Sequence, residues 1–248
     1  MNPNRMLAGQ RVVIVGGTSG IGLATAHLAI AQGAKVVVAS RSAERLKAAK
    51  AELGPNAEAL RLDATKAKNA AAFFKKVGKF HHLTVLVPAA GDPRVQRKIG
   101  PLARMDLSTA HQVMENKFWT SMICAQAALP YLARTGSITF CSGVSPRKAL
   151  PGYWASTAAI AALEGVFRAL AVEIAPIRVN CVGPGIIATP VLNAFAPQRL
   201  KAWNKLIKRQ PVGRMGTADE VAQAMVYCMT NGFTTGALIE IDGGYKFT

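Results

Sequence analysis

Short apolar runs alternate with helical patterns along the whole chain. Val12–Val15 predicts a first strand, and Leu23–Ala29 has helical character. Val36–Ala39 predicts a second strand, and Ala43–Leu53 a helix that stops at Gly54-Pro55. Ala59–Leu62 predicts a short strand ending at Asp63, and Ala70–Val77 a helix. Val85–Val87 predicts a strand that runs into Pro88-Ala89-Ala90-Gly91. A long helical pattern covers Leu107–Leu132, followed by a strand at Ser137–Cys141. Tyr153–Ala175 predicts a helix rich in small residues, and Arg178–Val182 a strand ending at Gly183-Pro184-Gly185. Lys201–Arg209 and Ala218–Met229 predict helices, and Ala237–Ile241 a last strand. Such alternation implies an α/β protein with a parallel sheet covered on both faces. Right-handed crossovers make it a doubly wound Rossmann-type fold. No linker, repeat or low-complexity segment divides the 248 residues, so one domain over 1–248 is expected.

In such a sheet ligands bind beyond the carboxyl ends of the strands. Gly16-Gly17-Thr18-Ser19-Gly20-Ile21-Gly22 follows the first strand and opens the first helix. Glycines let the backbone turn sharply and approach a pyrophosphate, and the helix N-terminus presents N–H groups to it. The spacing Gly16, Gly20, Gly22 is not the common G-x-G-x-x-G. The strand before it and the helix after it favour a dinucleotide loop over a plain turn. The second strand ends at Ala39-Ser40-Arg41, with no acid to hold a ribose 2′-hydroxyl. Arg41 can pair with a 2′-phosphate and Ser40 can donate to it, which favours NADP(H) over NAD(H). The alternative is that Arg41 is a solvated residue at a helix start. Asp63 has two readings of equal weight, an acceptor for the adenine amino group or an N-cap before Ala64-Thr65-Lys66.

Hydrophobic residues make up 50% of the chain and charged ones 17%, which supports a globular core. No apolar run reads as long enough to span a bilayer, and the first ten residues lack the apolar stretch of a signal peptide. Cys124, Cys141, Cys181 and Cys228 are scattered through apolar segments with no Cys-x-x-Cys pair. They read as buried free thiols, and a cytoplasmic location is expected. His27, His81, His82 and His111 have no metal-ligand spacing, so no metal site is expected. His81-His82 reads as a solvated turn. The formal charge of +17 is unusual and suggests an acidic partner. Nucleic-acid binding rests on that charge alone, because only 6% of residues are aromatic and no recognition motif is present.

Several motifs resemble the short-chain dehydrogenase/reductase family, over nearly the whole length. The family's loop reads T-G-x-x-x-G-I-G, and here it is Val15-Gly16-Gly17-Thr18-Ser19-Gly20-Ile21-Gly22. Asn116, Ser142 and Tyr153 match its active-site residues. Pro184-Gly185-Ile186-Ile187-Ala188-Thr189 matches P-G-x-I-x-T, which holds the nicotinamide carboxamide and phosphate. Arg214-Met215-Gly216, Asp219-Glu220-Val221-Ala222 and Ile241-Asp242-Gly243-Gly244 match the C-terminal third. The resemblance implies a cofactor site of Gly16, Thr18, Ser19, Gly20, Ile21, Gly22, Ser40, Arg41, Asp63, Ala64, Ala89, Ala90, Gly91, Tyr153, Pro184, Gly185, Ile187 and Thr189. It implies that Tyr153 protonates a substrate oxygen, Ser142 holds that oxygen and Asn116 anchors a water. Structural alternatives stand beside each role: a packed aromatic for Tyr153, a turn residue for Ser142 and a solvated helix face for Asn116. It also implies a homodimer or homotetramer paired through the small-residue helices.

The chain departs from the family pattern at four places. Tyr-x-x-x-Lys is here Tyr153-Trp154-Ala155-Ser156-Thr157. In the family that lysine binds the nicotinamide ribose, and its charge favours the phenolate. Thr157 can bond a ribose hydroxyl but supplies no charge, or it simply packs as a small helix residue. Ser142 and Tyr153 lie closer in sequence than the family's spacing. Asn-Asn-Ala-Gly is Pro88-Ala89-Ala90-Gly91, and Val15 replaces a threonine. Pro88 has no N–H to donate and no side-chain amide to tie neighbouring strands. The expected function is therefore an NADP(H)-dependent oxidoreductase acting on a carbonyl or hydroxyl of a small substrate. The alternative is a dinucleotide-binding relative with lost or non-redox activity. Arg94, Arg97 and Lys98, then Arg147 and Lys148, then Arg199, Lys201, Lys205, Lys208, Arg209 and Arg214 are expected to rim one mouth of the sheet. An anionic substrate and plain solvated helix faces explain that rim equally well.

Overall fold

The computed structural model describes residues 5–89, 93–194 and 203–248. Strands β1 (Arg11–Val15), β2 (Lys35–Ser40), β3 (Ala57–Arg61), β4 (Phe80–Val85), β5 (Leu132–Cys141), β6 (Arg178–Pro184) and β7 (Leu238–Ile241) form one sheet. All its pairings are parallel, in the order β3-β2-β1-β4-β5-β6-β7. The order reverses between β1 and β4, which opens a crevice at their carboxyl ends. The helices are α1 (Gly20–Ala31), α2 (Ala43–Leu53), α3 (Ala67–Val77), α4 (Pro93–Lys98), α5 (Leu107–Met114), α6 (Thr120–Ala128), α7 (Trp154–Glu173), α8 (203–207) and α9 (Ala218–Thr230). The doubly wound Rossmann-type α/β fold is as the alternation of elements predicts.

Side chains along β1 alternate between two cores, as the pleat requires. Val13 and Val15 join Phe73, Phe74, Leu163 and Phe167 on one face. Val12 and Ile14 join Ala26, Ala29, Val221 and Met225 on the other. Phe74 meets Phe73 edge-on at 5.1 Å and stacks near Phe80 at 5.8 Å. Thr217 and Glu220 form a reciprocal capping box at the start of α9. Arg214 clasps the same carboxylate and holds Glu220 down at about 2.

Three expectations need correction. β4 is Phe80–Val85 rather than Val85–Val87, and His81-His82 lies inside it rather than in a solvated turn. His82 is 3% exposed. Its Nδ1 meets Ser137 Oγ at 2.8 Å and its Nε2 meets Gln10 Oε1 at 2.5 Å, so the polar ring is satisfied within the sheet. His81 Nδ1 accepts from the Arg11 N–H at 3.1 Å.

The helical stretch at 107–132 is not continuous. A π turn, Glu115–Trp119, separates α5 from α6. A 3₁₀ turn over Leu129–Tyr131 ends the run, because Pro130 cannot continue the helix, and β5 starts at Leu132. Helix α7 has the length and hydropathy of a bilayer span, with 20 residues and a mean hydropathy of 1.4. It is instead a crossover between β5 and β6, with Leu163 and Phe167 sealed in the core.

Burial lowers the His82 pKa to about 3, helped by the charge of Arg178. Below the ordinary histidine range the unfolded chain therefore binds a proton that the folded chain refuses. Stability should fall as pH drops from about 6.5 toward 3. Denaturant midpoints measured across that window should decline less steeply for His82→Gln than for the parent protein. Equal slopes would show that another group sets the acid limb.

Candidate active site

The loop 16–19 leaves β1 and enters α1 at Gly20. Gly16 has φ +85°, and a Cβ there would lie 2.3 Å from the Leu86 carbonyl oxygen. A Cβ on Gly22 would lie 2.1 Å from the Gly16 oxygen. Both positions require glycine for α1 to close onto the β1–β4 crevice. Ser19 is the N-cap of α1, yet its side chain makes no capping bond, and the first turn holds no acid. The first-turn N–H groups thus suit an anion. Thr18, within the loop, is buried. Gly20 faces Thr189, whose Cβ would stand 3.2 Å from an added methyl, so the glycine loop and the 184–189 segment confront each other. Ile187 is buried and its segment bridges Gly216, which fixes Pro184-Gly185 and Thr189 at this edge. The arrangement fits a dinucleotide whose pyrophosphate lies over α1.

Ser40 ends β2, half-buried, and Arg41 after it is exposed. Ser40 Oγ accepts weakly from the Ser42 N–H at 3.4 Å. Asp63 Oδ1 accepts from Thr65 N at 3.3 Å and from Thr65 Oγ1 at 2.8 Å. Helix α3 starts only at Ala67 with Lys66 as its N-cap, so Asp63 shapes a turn rather than capping the helix. Ala64 is buried against the core, and Ala89, after β4, is half-buried and packs against the cluster of Ile99, Met105 and Val113. Ala90 and Gly91 lie outside the described residues.

Ser142 directly follows β5 and is 6% exposed. Its N–H donates to Val182 O at 2.8 Å, which locks it beside β6. A Cβ on Gly183 would meet Ser142 Oγ at 3.1 Å, so the bare glycine leaves that hydroxyl room. Tyr153 is the N-cap of α7, and its carbonyl accepts from the Thr157 N–H at 2.8 Å. Thr157 therefore sits one turn below the tyrosine. Asn116 lies in the π turn, half-buried, in the kind of helix irregularity that recurs at functional sites. The ring of Trp203, on α8, lies 6.2 Å from that of Tyr153 and is tilted 35° to it.

Sequence reasoning missed two residues of this region. Trp203 carried a signal only in its place, in the segment that follows Pro184-Gly185. Lys117 is the other. It is 4% exposed, and its Nζ donates to Val87 O at 2.8 Å and to Cys141 O. A lone lysine beside Asn116 gave no hint of burial.

The expected cationic rim is thinner than the sequence suggests. Arg147 turns inward, with its guanidinium on Glu164, Glu240 and the Gly143 carbonyl. The Glu164 carboxylate raises the Arg147 pKa further. Arg214 is engaged by Glu220. Arg199 and Lys201 lie outside the described residues. All four cysteines are free and buried, and burial pushes the Cys124 and Cys181 thiols up to about 12. Among the described residues no cluster of His, Cys, Asp and Glu suits a metal. A cavity of about 410 Å³, lined in part by Gln10, His82 and Arg178, opens at the amino ends of the strands, away from Ser142 and Tyr153.

The chain matches known proteins over nearly its whole length. Residues 15–246 match the family described as enoyl-(acyl carrier protein) reductase. A 3-oxoacyl-(acyl-carrier-protein) reductase of Mus musculus is 32% identical, over 95% of this chain and 97% of its own length. The short-chain dehydrogenase/reductase ATR9 of Stachybotrys chlorohalonatus is 31% identical over 96% of this chain and 97% of its own length. A solved small-chain dehydrogenase in complex with NADPH superposes with a TM-score of 0.82 at 30% identity, over 96% of this chain and 99% of that one. The glycine-lined crevice and the matched length lead to one assignment: this chain belongs to the short-chain dehydrogenase/reductase family of oxidoreductases.

Proposed function

We propose that the protein is an NADP(H)-dependent reductase of a carbonyl group on a small substrate. The observation that carries this reading is that Ser142 leaves β5 at the same carboxyl end of the parallel sheet where the glycine loop leaves β1, with Tyr153 opening α7 and Asn116 in the π turn packed against α7. The bound dinucleotide supplies a hydride to the carbonyl carbon. Ser142 Oγ donates a hydrogen bond to the substrate oxygen and holds it as negative charge develops. The Tyr153 phenol transfers its proton to that oxygen, giving the alcohol and leaving a phenolate. A water held by Asn116 returns a proton to Tyr153. The ring of Trp203 shields the phenol side of the site.

Position 157 by itself favours reduction over oxidation. Reduction starts from the neutral phenol, whereas oxidation needs the phenolate, which Thr157 gives no charge to stabilise. The end of β2, Ala39-Ser40-Arg41, carries a base where an acid would hold a ribose 2′-hydroxyl, which supports NADP(H) with NAD(H) the weaker ligand. Lys148 and the basic residues of α4, rather than Arg147, would steer an anionic substrate. Exposed Trp119 and Val172, on the faces of the π turn and α7, support a homo-oligomer. The free buried thiols support a cytoplasmic setting.

A panel of carbonyl compounds offered with NADPH should reveal turnover. Tyr153→Phe should cut kcat by about 10²-fold or more while leaving NADPH binding intact. Turnover that survives this change would remove Tyr153 from the proton path. Binding of NADPH without turnover of any panel member would favour the non-redox alternative. Arg41→Ala should weaken NADPH binding by about 10-fold and leave NADH binding nearly unchanged. Equal losses for the two cofactors would overturn the 2′-phosphate role.

A further inference from the structure

Lys117 is a buried cation that the chemistry above does not use. It follows Asn116 in the π turn Glu115–Trp119. Its described partners are two neutral carbonyls. Val87 O belongs to the residue before Pro88, just beyond β4. Cys141 O belongs to the last residue of β5, directly before Ser142. The ammonium therefore spans the carboxyl ends of two adjacent parallel strands, on the ligand side of the sheet. Carbonyl partners orient a charge without neutralising it. In a low-dielectric surround such a charge acts strongly on nearby groups.

Helix α7 completes the juxtaposition. The π turn packs against α7, and Met114, Ala155 and Ala159 share one apolar cluster. Tyr153 is the N-cap of α7, and Thr157 lies in its first turn. Thr157 offers a hydroxyl on α7, and the turn that packs against this helix offers an ammonium. Other charged or titratable groups flank the site from the neighbouring elements. Cys141 and Cys181 lie in β5 and β6, and Glu164 in α7 is paired with Arg147. Burial raises both thiols, and the charge of Lys117 pulls each back down. Its field thus reaches both strands that hold Ser142.

We propose that Lys117 is a positioning residue that supplies the active site's positive charge from the π turn and fixes Ser142 through the Cys141 carbonyl. The proposal rests on the reductase reading of Ser142 and Tyr153. A cation at this edge favours the oxyanion that forms on the substrate and the phenolate left on Tyr153.

Lys117→Gln separates charge from hydrogen bonding, because its amide can still donate to a carbonyl. Three measurements are needed: NADPH binding, the pH profile of kcat, and ultraviolet titration of the tyrosines, each corrected with the matching Tyr153→Phe protein. Lys117→Gln should keep NADPH binding within about 3-fold, lower kcat by about 10-fold and move the Tyr153 titration to higher pH. Adding Thr157→Lys to that variant should restore part of the lost kcat. Unchanged kcat and an unchanged Tyr153 titration would overturn the proposal. So would a loss of kcat with no titration shift and no rescue, which marks a purely structural lysine. If Lys117→Gln fails to fold, Lys117→Met takes its place in the same measurements. If the parent protein turns over no carbonyl, the reductase reading falls alone, and the tyrosine titration still decides whether Lys117 charges the site.

Discussion

The contact of α1 with the β1–β4 crevice governs the rest of the molecule. Gly22 lies so close to the Gly16 carbonyl that a methyl group would sit 2.1 Å from it. Gly16 in turn crowds the Leu86 carbonyl. Hydrogen bonds from Gly16 N to Ala39 O and from Leu86 N to Val15 O carry the ladder past the named ends of the strands. The backbone is thus held on three strands just where the strand order reverses. With α1 seated there, its N-terminus can only point over the crevice, and the segments that leave β4, β5 and β6 must surround the same space. Ser142 and Thr189 owe their positions to that closure as much as to their own neighbours.

Charge is distributed with equal economy. The chain has 13 acidic residues against 30 lysines and arginines. Several of those acids hold interior or inter-element cations in place. Glu58 pairs with Arg11, Glu164 and Glu240 with Arg147, and Glu220 with Arg214. Glu240 also binds Lys246, which joins β7 to the C-terminal turn. The positive excess is consequently left to the surface lysines and to cations held by carbonyls, such as Arg178 and Lys117. An argument for an anionic ligand built on Arg147 fails for that reason, although its place in the sequence looked ideal.

Strand–helix alternation was legible because buried parallel strands read as unbroken apolar runs. Val12–Val15 and Val36–Ala39 sit inside the observed β1 and β2. Phe80-His81-His82 escaped notice because two histidines break such a run. Only the structure shows that Ser137 and Gln10 satisfy the His82 ring. The break at 115–119 was equally invisible, since a π turn keeps helical composition while adding a residue. Loop residues of the site were readable from strand ends alone. Partners that depend on chain reversal, such as Trp203 beside Tyr153, were not, because nothing local ties them together.

The environment of Lys117 follows from the helix pattern around it. Val113, Lys117, Thr120, Ser121 and Cys124 are all buried, so position 117 lies on the inward face of α5–α6. Burying a lysine there costs desolvation that its two carbonyl bonds offset only in part. A residue such as leucine or methionine would meet the packing demand without that cost, and replacements of this kind are often neutral or stabilising in other proteins. Strand β4 is meanwhile followed by Pro88, which offers no N–H to a neighbouring strand. The lysine reaches over that gap to join Val87 to Cys141. A polar link between strand ends needs only a neutral amide, however. The positive charge itself is surplus to the fold, and under the proposed reduction it serves the negative charge that develops at Ser142 and Tyr153.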